Sequence, residues 1–246
     1  MNRTVAVIAL CFLFAGIASM AGCEERQNRQ PALTCLELPP RSGAKGDILI
    51  LLHGYGSNEK DLLQLAPLLS DNLHFISTRA PLRLSPDRYG WFPIEFRQGE
   101  IIINREGARK AKKPLIDCIR HIVREHNPPQ GKVLLMGFSQ GADMSYLTAL
   151  AEPSLLHGVI AVGGKFPESA TLLNRNPEVL REVPFLVIHG KYDDVIPVKN
   201  GRESQRWLER HVDKLEYREY PMGHEINTDA VNMVRDWLRR SLDHSL

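Results

Sequence analysis

The feature that most narrows the fold of this chain is a repeated alternation. Short, nearly unbroken apolar runs are followed by longer stretches that carry an apolar stripe at helical spacing. The first run is Asp47-Ile48-Leu49-Ile50-Leu51-Leu52-His53. A strand that is apolar at every position is buried on both faces, as happens in a parallel sheet covered by helices. Asn58 to Ser70 follows with Leu62, Leu65, Ala66 and Leu69 on one helical stripe. The alternation continues with a strand at Leu73–Thr78 and a helix from Glu106 to His126 that Pro114 should start or kink. Strands at 132–136, 156–162, 185–189 and 215–220 then interleave with helices at 142–151 and 198–211. A last helix carries Ile226, Ala230, Met233, Val234, Trp237 and Leu238. Such alternation predicts an α/β fold with a mostly parallel central sheet flanked by helices. No internal repeat or low-complexity segment interrupts it.

Composition removes other classes. Of the 246 residues 43% are apolar and 24% charged, near the average for globular domains, which argues against disordered, collagen-like and multi-span membrane chains. Lysine plus arginine is 31 and aspartate plus glutamate 29, a formal charge of +2 that gives no electrostatic reason to expect a nucleic-acid partner. The short basic clusters at 109–113 and 239–240 read as solvated helix faces.

The N-terminus departs from the pattern. Arg3 precedes an uncharged apolar run from Val5 to Ile17, which is shorter than the ~20 residues of a spanning helix. Small residues close it, and together these are the parts of a secretory signal peptide. The end, Ser19-Met20-Ala21-Gly22-Cys23, resembles a bacterial lipoprotein signal, in which the cysteine is lipidated and begins the mature protein; Met20 stands where such signals usually carry leucine. Cleavage after Ala21 at a small-x-small site competes with this, as does a buried N-terminal element. The expected organisation is a leader over residues 1–22, lipidation at Cys23, a tether and the start of the first strand over 23–40, and one domain over 41–246. Glu24 resembles the residue that follows the cysteine in lipoproteins sorted to the outer membrane. The expected location is therefore its periplasmic face, held at the membrane surface by acyl chains, with a soluble periplasmic or secreted protein as the alternative. Cys11 leaves with the leader. Cys35 and Cys118 remain as a possible disulfide pair or as two independent thiols. No CxxC and no Cys/His cluster at metal spacing is present, so no metal site is expected.

The chemistry concentrates after strand ends, where α/β sheets place their active groups. Gly137-Phe138-Ser139-Gln140-Gly141 is a G-x-S-x-G motif between a buried strand and a helix, a turn that lifts a serine hydroxyl into solvent at a helix N-terminus. A serine is a weak nucleophile without a base, and an acid must hold that base in the correct tautomer. His224 follows the strand ending at Tyr220, and Asp193 follows the strand ending at His189. Asp194 is the other candidate acid, while His189 reads as a structural residue ending its strand. Two backbone N–H groups are needed for the oxyanion. Gln140 is one candidate donor and Tyr55, in His53-Gly54-Tyr55-Gly56, is the other. His53 precedes the nucleophile and reads as a structural loop residue. Trp91, Phe92 and Phe166 are candidates for the substrate-pocket wall, with core packing as the competing reading.

These residues resemble the carboxylesterase/phospholipase family of α/β-hydrolases, which includes the acyl-protein thioesterases. The resemblance rests on Leu52 to Gly56, the Ser139 pentapeptide, His189-Gly190 with Asp193 and Ile196-Pro197, Gly223-His224, and Arg79-Ala80-Pro81 before Trp91-Phe92. It spans residues 45 to 242 and implies a single-domain α/β-hydrolase without a large lid or a cofactor. By position it implies Ser139, Asp193 and His224 as the triad, with Tyr55 and Gln140 as oxyanion donors. Tyr55 replaces the aliphatic residue frequent in the family. The implied activity is hydrolysis of small or medium acyl esters through an acyl-enzyme. Alternatives are a lysophospholipase, a feruloyl- or acetyl-type polysaccharide esterase, or an inactive surface-anchored binding module. Dienelactone hydrolases share the fold but usually carry cysteine at the nucleophile position. The oligomeric state stays open.

Overall fold

A computed structural model describes residues 33–41, 43, 46–97, 100–128, 131–167 and 173–242. The expected leader, the lipidation site Cys23 and the tether up to residue 32 lie outside the described residues.

Seven strands form the main sheet: β1 (Cys35–Leu38), β2 (Ile48–Leu52), β3 (His74–Thr78), β8 (Val133–Phe138), β9 (Leu156–Val162), β10 (Phe185–Gly190) and β11 (Leu215–Tyr220). Their order is β1-β3-β2-β8-β9-β10-β11. Only β1 pairs antiparallel, with β3; the other contacts are parallel. The helices are α1 (Ala66–Leu69), α2 (Arg105–His126), α3 (Gln140–Ala151), α4 (Pro177–Glu182), α5 (Lys199–Leu208) and α6 (Thr228–Leu242). Two small hairpins, β4 (Leu82–Ser85) with β5 (Arg88–Gly90) and β6 (Ile94–Arg97) with β7 (Glu100–Ile103), lie between β3 and α2 in the chain.

The uniform apolarity of β2 is explained by this layering. Alternate side chains of a strand face opposite sides. Ile48, Ile50 and Leu52 join a core cluster with α2 and α3, including Leu115, Ile119, Met144 and Tyr146. Leu49 and Leu51 join a second cluster with α1 and α6, including Ala66, Val234 and Trp237. All five β2 residues are buried.

Three local expectations are corrected. The stretch 58–70 is not one helix: a 3₁₀ turn at Leu62–Leu65 passes into the four-residue α1, whose first turn takes Pro67 because a proline lacks only an N–H that is unpaired there anyway. Helix α2 does not start at Pro114 but runs through it, beginning at the Asn104 cap, whose side chain accepts from the Gly107 N–H at 2.7 Å. The two hairpins carry no long apolar run and were not expected. Among the described residues no helix is long and apolar enough to cross a membrane.

Candidate active site

The carboxyl ends of β8, β10 and β11 converge on one cleft. Ser139 sits between β8 and α3 with φ +54° and ψ −121°, a region that an L-residue with a side chain rarely adopts. Its flanking glycines are required by close approach. A Cβ at Gly137 would strike the carbonyl of Gly141, and one at Gly141 would strike the carbonyl of Leu52. Substituting either forces the turn apart, so the motif's spacing is set by backbone contact.

The turn presents Ser139 Oγ to His224 Nε2 at 2.8 Å, and His224 Nδ1 lies 2.8 Å from Asp193 Oδ2. The imidazole can hold one proton toward the carboxylate while its other nitrogen accepts from the hydroxyl. The Asp193 side chain is 1% exposed. Its second oxygen accepts from the backbone N–H of Val195 at 3.0 Å and of Ile196 at 2.7 Å. Burial alone would raise its pKa. The hydrogen bonds from His224 and from the Ile196 N–H outweigh burial and hold the carboxyl below its ordinary value. Asp193 is therefore ionised at neutral pH. Asp194, the rival acid, is exposed, whereas Asp193 points inward to the histidine.

His189 is buried at the end of β10. Its Nε2 lies 2.7 Å from the Ile196 carbonyl and 3.5 Å from Asp193 Oδ2. Burial lowers its pKa, so a neutral ring with Nε2–H donating to Ile196 fixes the 193–196 loop beneath the acid. His53 is likewise structural: its Nε2 accepts from the Ala80 N–H at 3.1 Å, which leaves Nδ1–H to donate to the Gly54 carbonyl at 2.7 Å. That loop lies against the serine, with Gly54 packed on Phe138 and Ser139. It is clasped to β5 by Gly56 N–H to Tyr89 O at 2.7 Å and Tyr89 N–H to Ser57 O at 2.8 Å.

The cleft has a volume of about 180 Å³ and is lined by Tyr55, Phe92, Ile94, Ser139, Gln140, Asp143, Lys165, Val195, Ile196 and His224. Of the three aromatic residues expected in its wall, only Phe92 takes part. Trp91 is 2% exposed, because its indole N–H must find an acceptor and donates inward to the His53 carbonyl at 2.9 Å. Phe166 is packed edge-on to Tyr146 and against Trp207 in the core. The Gln140 side chain seats the aromatic pair: Oε1 accepts from the Trp91 N–H at 2.6 Å and Nε2 donates to the Phe92 carbonyl at 2.7 Å.

The lining holds two residues of charged type, Asp143 and Lys165, that the motifs did not point to. Asp143 is one turn beyond Ser139 on α3, and its Oδ1 accepts from the Lys165 backbone N–H at 2.6 Å. Burial pushes its carboxyl up to about 7, against the pull of that N–H and of the Lys165 charge. A spacing of four residues on a helix was the available signal, since it stacks a side chain on the face of the nucleophile.

Comparison with known proteins places this architecture. The family model described as Phospholipase/Carboxylesterase matches residues 34–242. An acyl-protein thioesterase 1 of Gibberella zeae is 27% identical over 185 residues, covering 70% of this chain and 78% of that protein. The putative hydrolase MhqD of Bacillus subtilis is 24% identical over 207 residues, covering 81% of this chain and 96% of that protein. The crystal structure of esterase PE8 superposes with a TM-score of 0.71 at 29% identity, over 85% of this chain and 99% of that one. The Bacillus cereus carboxylesterase shares the fold, with a TM-score of 0.72 at 19% identity over 85% and 94% of the two chains. The chain belongs to the phospholipase/carboxylesterase family and is a hydrolase of that type with the α/β-hydrolase fold.

Proposed function

We propose that this protein is a serine carboxylic-ester hydrolase acting on small acyl esters through an acyl-enzyme. The observation that carries the reading is the unbroken chain Ser139 Oγ–His224–Asp193, with both contacts at 2.8 Å. His224 Nε2 takes the hydroxyl proton as Oγ attacks the ester carbonyl. Asp193 stabilises the imidazolium without becoming protonated. The N–H groups of Tyr55 and Gln140 hold the oxyanion in the tetrahedral intermediate. The imidazolium returns the proton to the leaving alcohol, and a water deprotonated by His224 releases the acid. The same steps cleave a thioester, the substrate class in the name of the Gibberella zeae relative.

The cleft supports a short acyl group. At about 180 Å³ it is close to the ~150 Å³ that accepts a benzene ring and below the ~300 Å³ at which drug-sized sites begin. Asp143 and Lys165 add polar groups to a wall otherwise made by Tyr55, Phe92, Ile94, Val195 and Ile196, which suits a short apolar acyl group beside a hydrogen-bonding one. No observation favours the lysophospholipase, polysaccharide-esterase or binding-module alternatives. The experiment is hydrolysis of p-nitrophenyl esters of rising chain length by the wild type and Ser139→Ala. Turnover is expected to be greatest for short acyl chains and to fall to background in the variant. A variant that retains wild-type turnover sinks the serine mechanism.

Export with lipidation at Cys23 belongs to the same proposal. It rests on the leader-like first 22 residues and on the small residues before the cysteine. The mass of the mature N-terminal peptide tests it. A diacylglyceryl-modified Cys23 supports anchoring, and an unmodified N-terminus at Gly22 replaces it with ordinary cleavage after Ala21.

A further inference from the structure

At the amino edge of the sheet, opposite the end that carries Ser139, three metal-ligating side chains meet. Glu37 comes from β1, His74 opens β3, and His126 ends α2. His74 Nε2 lies 3.0 Å and His126 Nε2 3.7 Å from the same oxygen, Glu37 Oε2. One donor atom from each residue falls within 4.8 Å of the other two. The two imidazoles stand at 90° with centroids 4.8 Å apart, so neither ring blocks the other's approach to a common centre. His74 Nε2 is buried and, despite its distance from the carboxylate, is not aligned to hydrogen-bond with it. A buried ring nitrogen without a hydrogen bond is costly, and a shared cation satisfies it.

We infer that Glu37, His74 and His126 form a binding site for one zinc ion. Two imidazoles and a carboxylate suit zinc among the borderline divalent ions. Zinc bonds of ~2.0–2.2 Å in tetrahedral geometry put neighbouring donors about 3.3–3.6 Å apart, between the two histidine–Glu37 separations of 3.0 and 3.7 Å. Water takes the fourth position, because the Glu37 side chain is 47% exposed. The ligands are dispersed over three elements, so no spacing in the sequence announces them. The ion ties the four-residue strand β1, which among the described residues is an edge strand paired with β3, to the sheet and to α2. Its effect is to hold the start of the domain in place, remote from the ester chemistry.

The test uses the purified full-length chain, stripped with chelator and titrated with zinc sulfate by calorimetry, with thermal melting alongside. His126→Ala, at a helix end, and Glu37→Gln are the variants, and Cys35→Ser is the control for the nearby thiols. One zinc per wild-type chain is expected, with a melting rise of at least ~5 °C at a hundredfold excess over Kd. Both ligand variants should lose at least tenfold in affinity while Cys35→Ser keeps it. No uptake by the wild type, equal uptake by the ligand variants, or loss in Cys35→Ser each overturns the site. The first of these leaves a His–Glu–His ion pair only.

Discussion

Replacing Asp143 with asparagine should make this protein more stable, and the gain should depend on pH. Asp143 is 6% exposed and its carboxyl is pushed up to about 7 by burial, from the ordinary 3.8 of an aspartate. For an acid whose folded pKa is raised, the folded chain holds more protons than the unfolded one between the two values. Stability therefore falls as pH rises from 3.8 to about 7 and is flat above. A gap of about three pKa units corresponds to about 4 kcal/mol lost on full ionisation. Asparagine keeps an acceptor for the Lys165 N–H, now 2.6 Å from Oδ1, and has no charge to bury. The variant should gain up to ~4 kcal/mol at pH 8, on the order of 10 °C in melting temperature for a domain of this size. The two proteins should converge near about pH 3.5, where both side chains are neutral. Thermal melts of both from acid to alkaline pH measure the difference directly. Parallel curves would refute the claim that a buried carboxylate lines the cleft. The same variant should turn over polar short-chain esters less well, because a charge kept at that cost in stability is expected to act on substrate.

Other consequences follow from single contacts. Ser139→Ala should lower kcat on the order of 10⁶-fold, and Asp193→Asn about 10⁴-fold with the fold intact, both read by steady-state hydrolysis and circular dichroism. Gln140→Ala leaves the buried Trp91 N–H and Phe92 carbonyl without the partners now at 2.6 and 2.7 Å. It should cost about 2–4 kcal/mol in denaturant unfolding and raise KM more than it lowers kcat, since the backbone N–H of residue 140 remains. The Sγ atoms of Cys35 and Cys118 lie 3.7 Å apart and both thiols are free. The contact with Cys35, helped by burial, keeps Cys118 a thiol, and the same contact lowers the Cys35 pKa. Oxidised glutathione should join them, with a mass loss of two hydrogens, and closing a loop of 83 residues should stabilise the fold by at most about 4–5 kcal/mol. A retained pair of titratable thiols after exhaustive oxidation would show that the two side chains do not meet.

The parallel sheet and the positions of the candidate residues Ser139, Asp193 and His224 at its strand ends were legible from the strands. A strand buried on both faces leaves an apolar run, and Ser139 and Asp193 follow two such strands, β8 and β10, whereas His224 follows the half-buried edge strand β11, Leu215-Glu216-Tyr217-Arg218-Glu219-Tyr220. Ser139, Asp193 and His224 stand within a few residues of β8, β10 and β11, so locating the strands located the candidate residues. The pocket wall had no such periodicity. Trp91 and Phe92 are adjacent and both aromatic, yet only Phe92 faces the cleft, and what divides them is that the indole N–H requires the His53 carbonyl. That acceptor lies 38 residues away, at a distance that only the folded loop sets. Helix α3 hid Asp143 for the opposite reason. Eleven of its twelve residues are buried, so it has no polar face against which a charged side chain would look displaced. An aspartate on a surface helix needs no explanation, but on a helix enclosed on all sides it must answer to a hydrogen bond, a ligand or a stability cost. The backbone N–H of Lys165 answers for one oxygen, and the place of Asp143 in the cleft wall makes substrate the candidate partner that the Asp143→Asn variant tests.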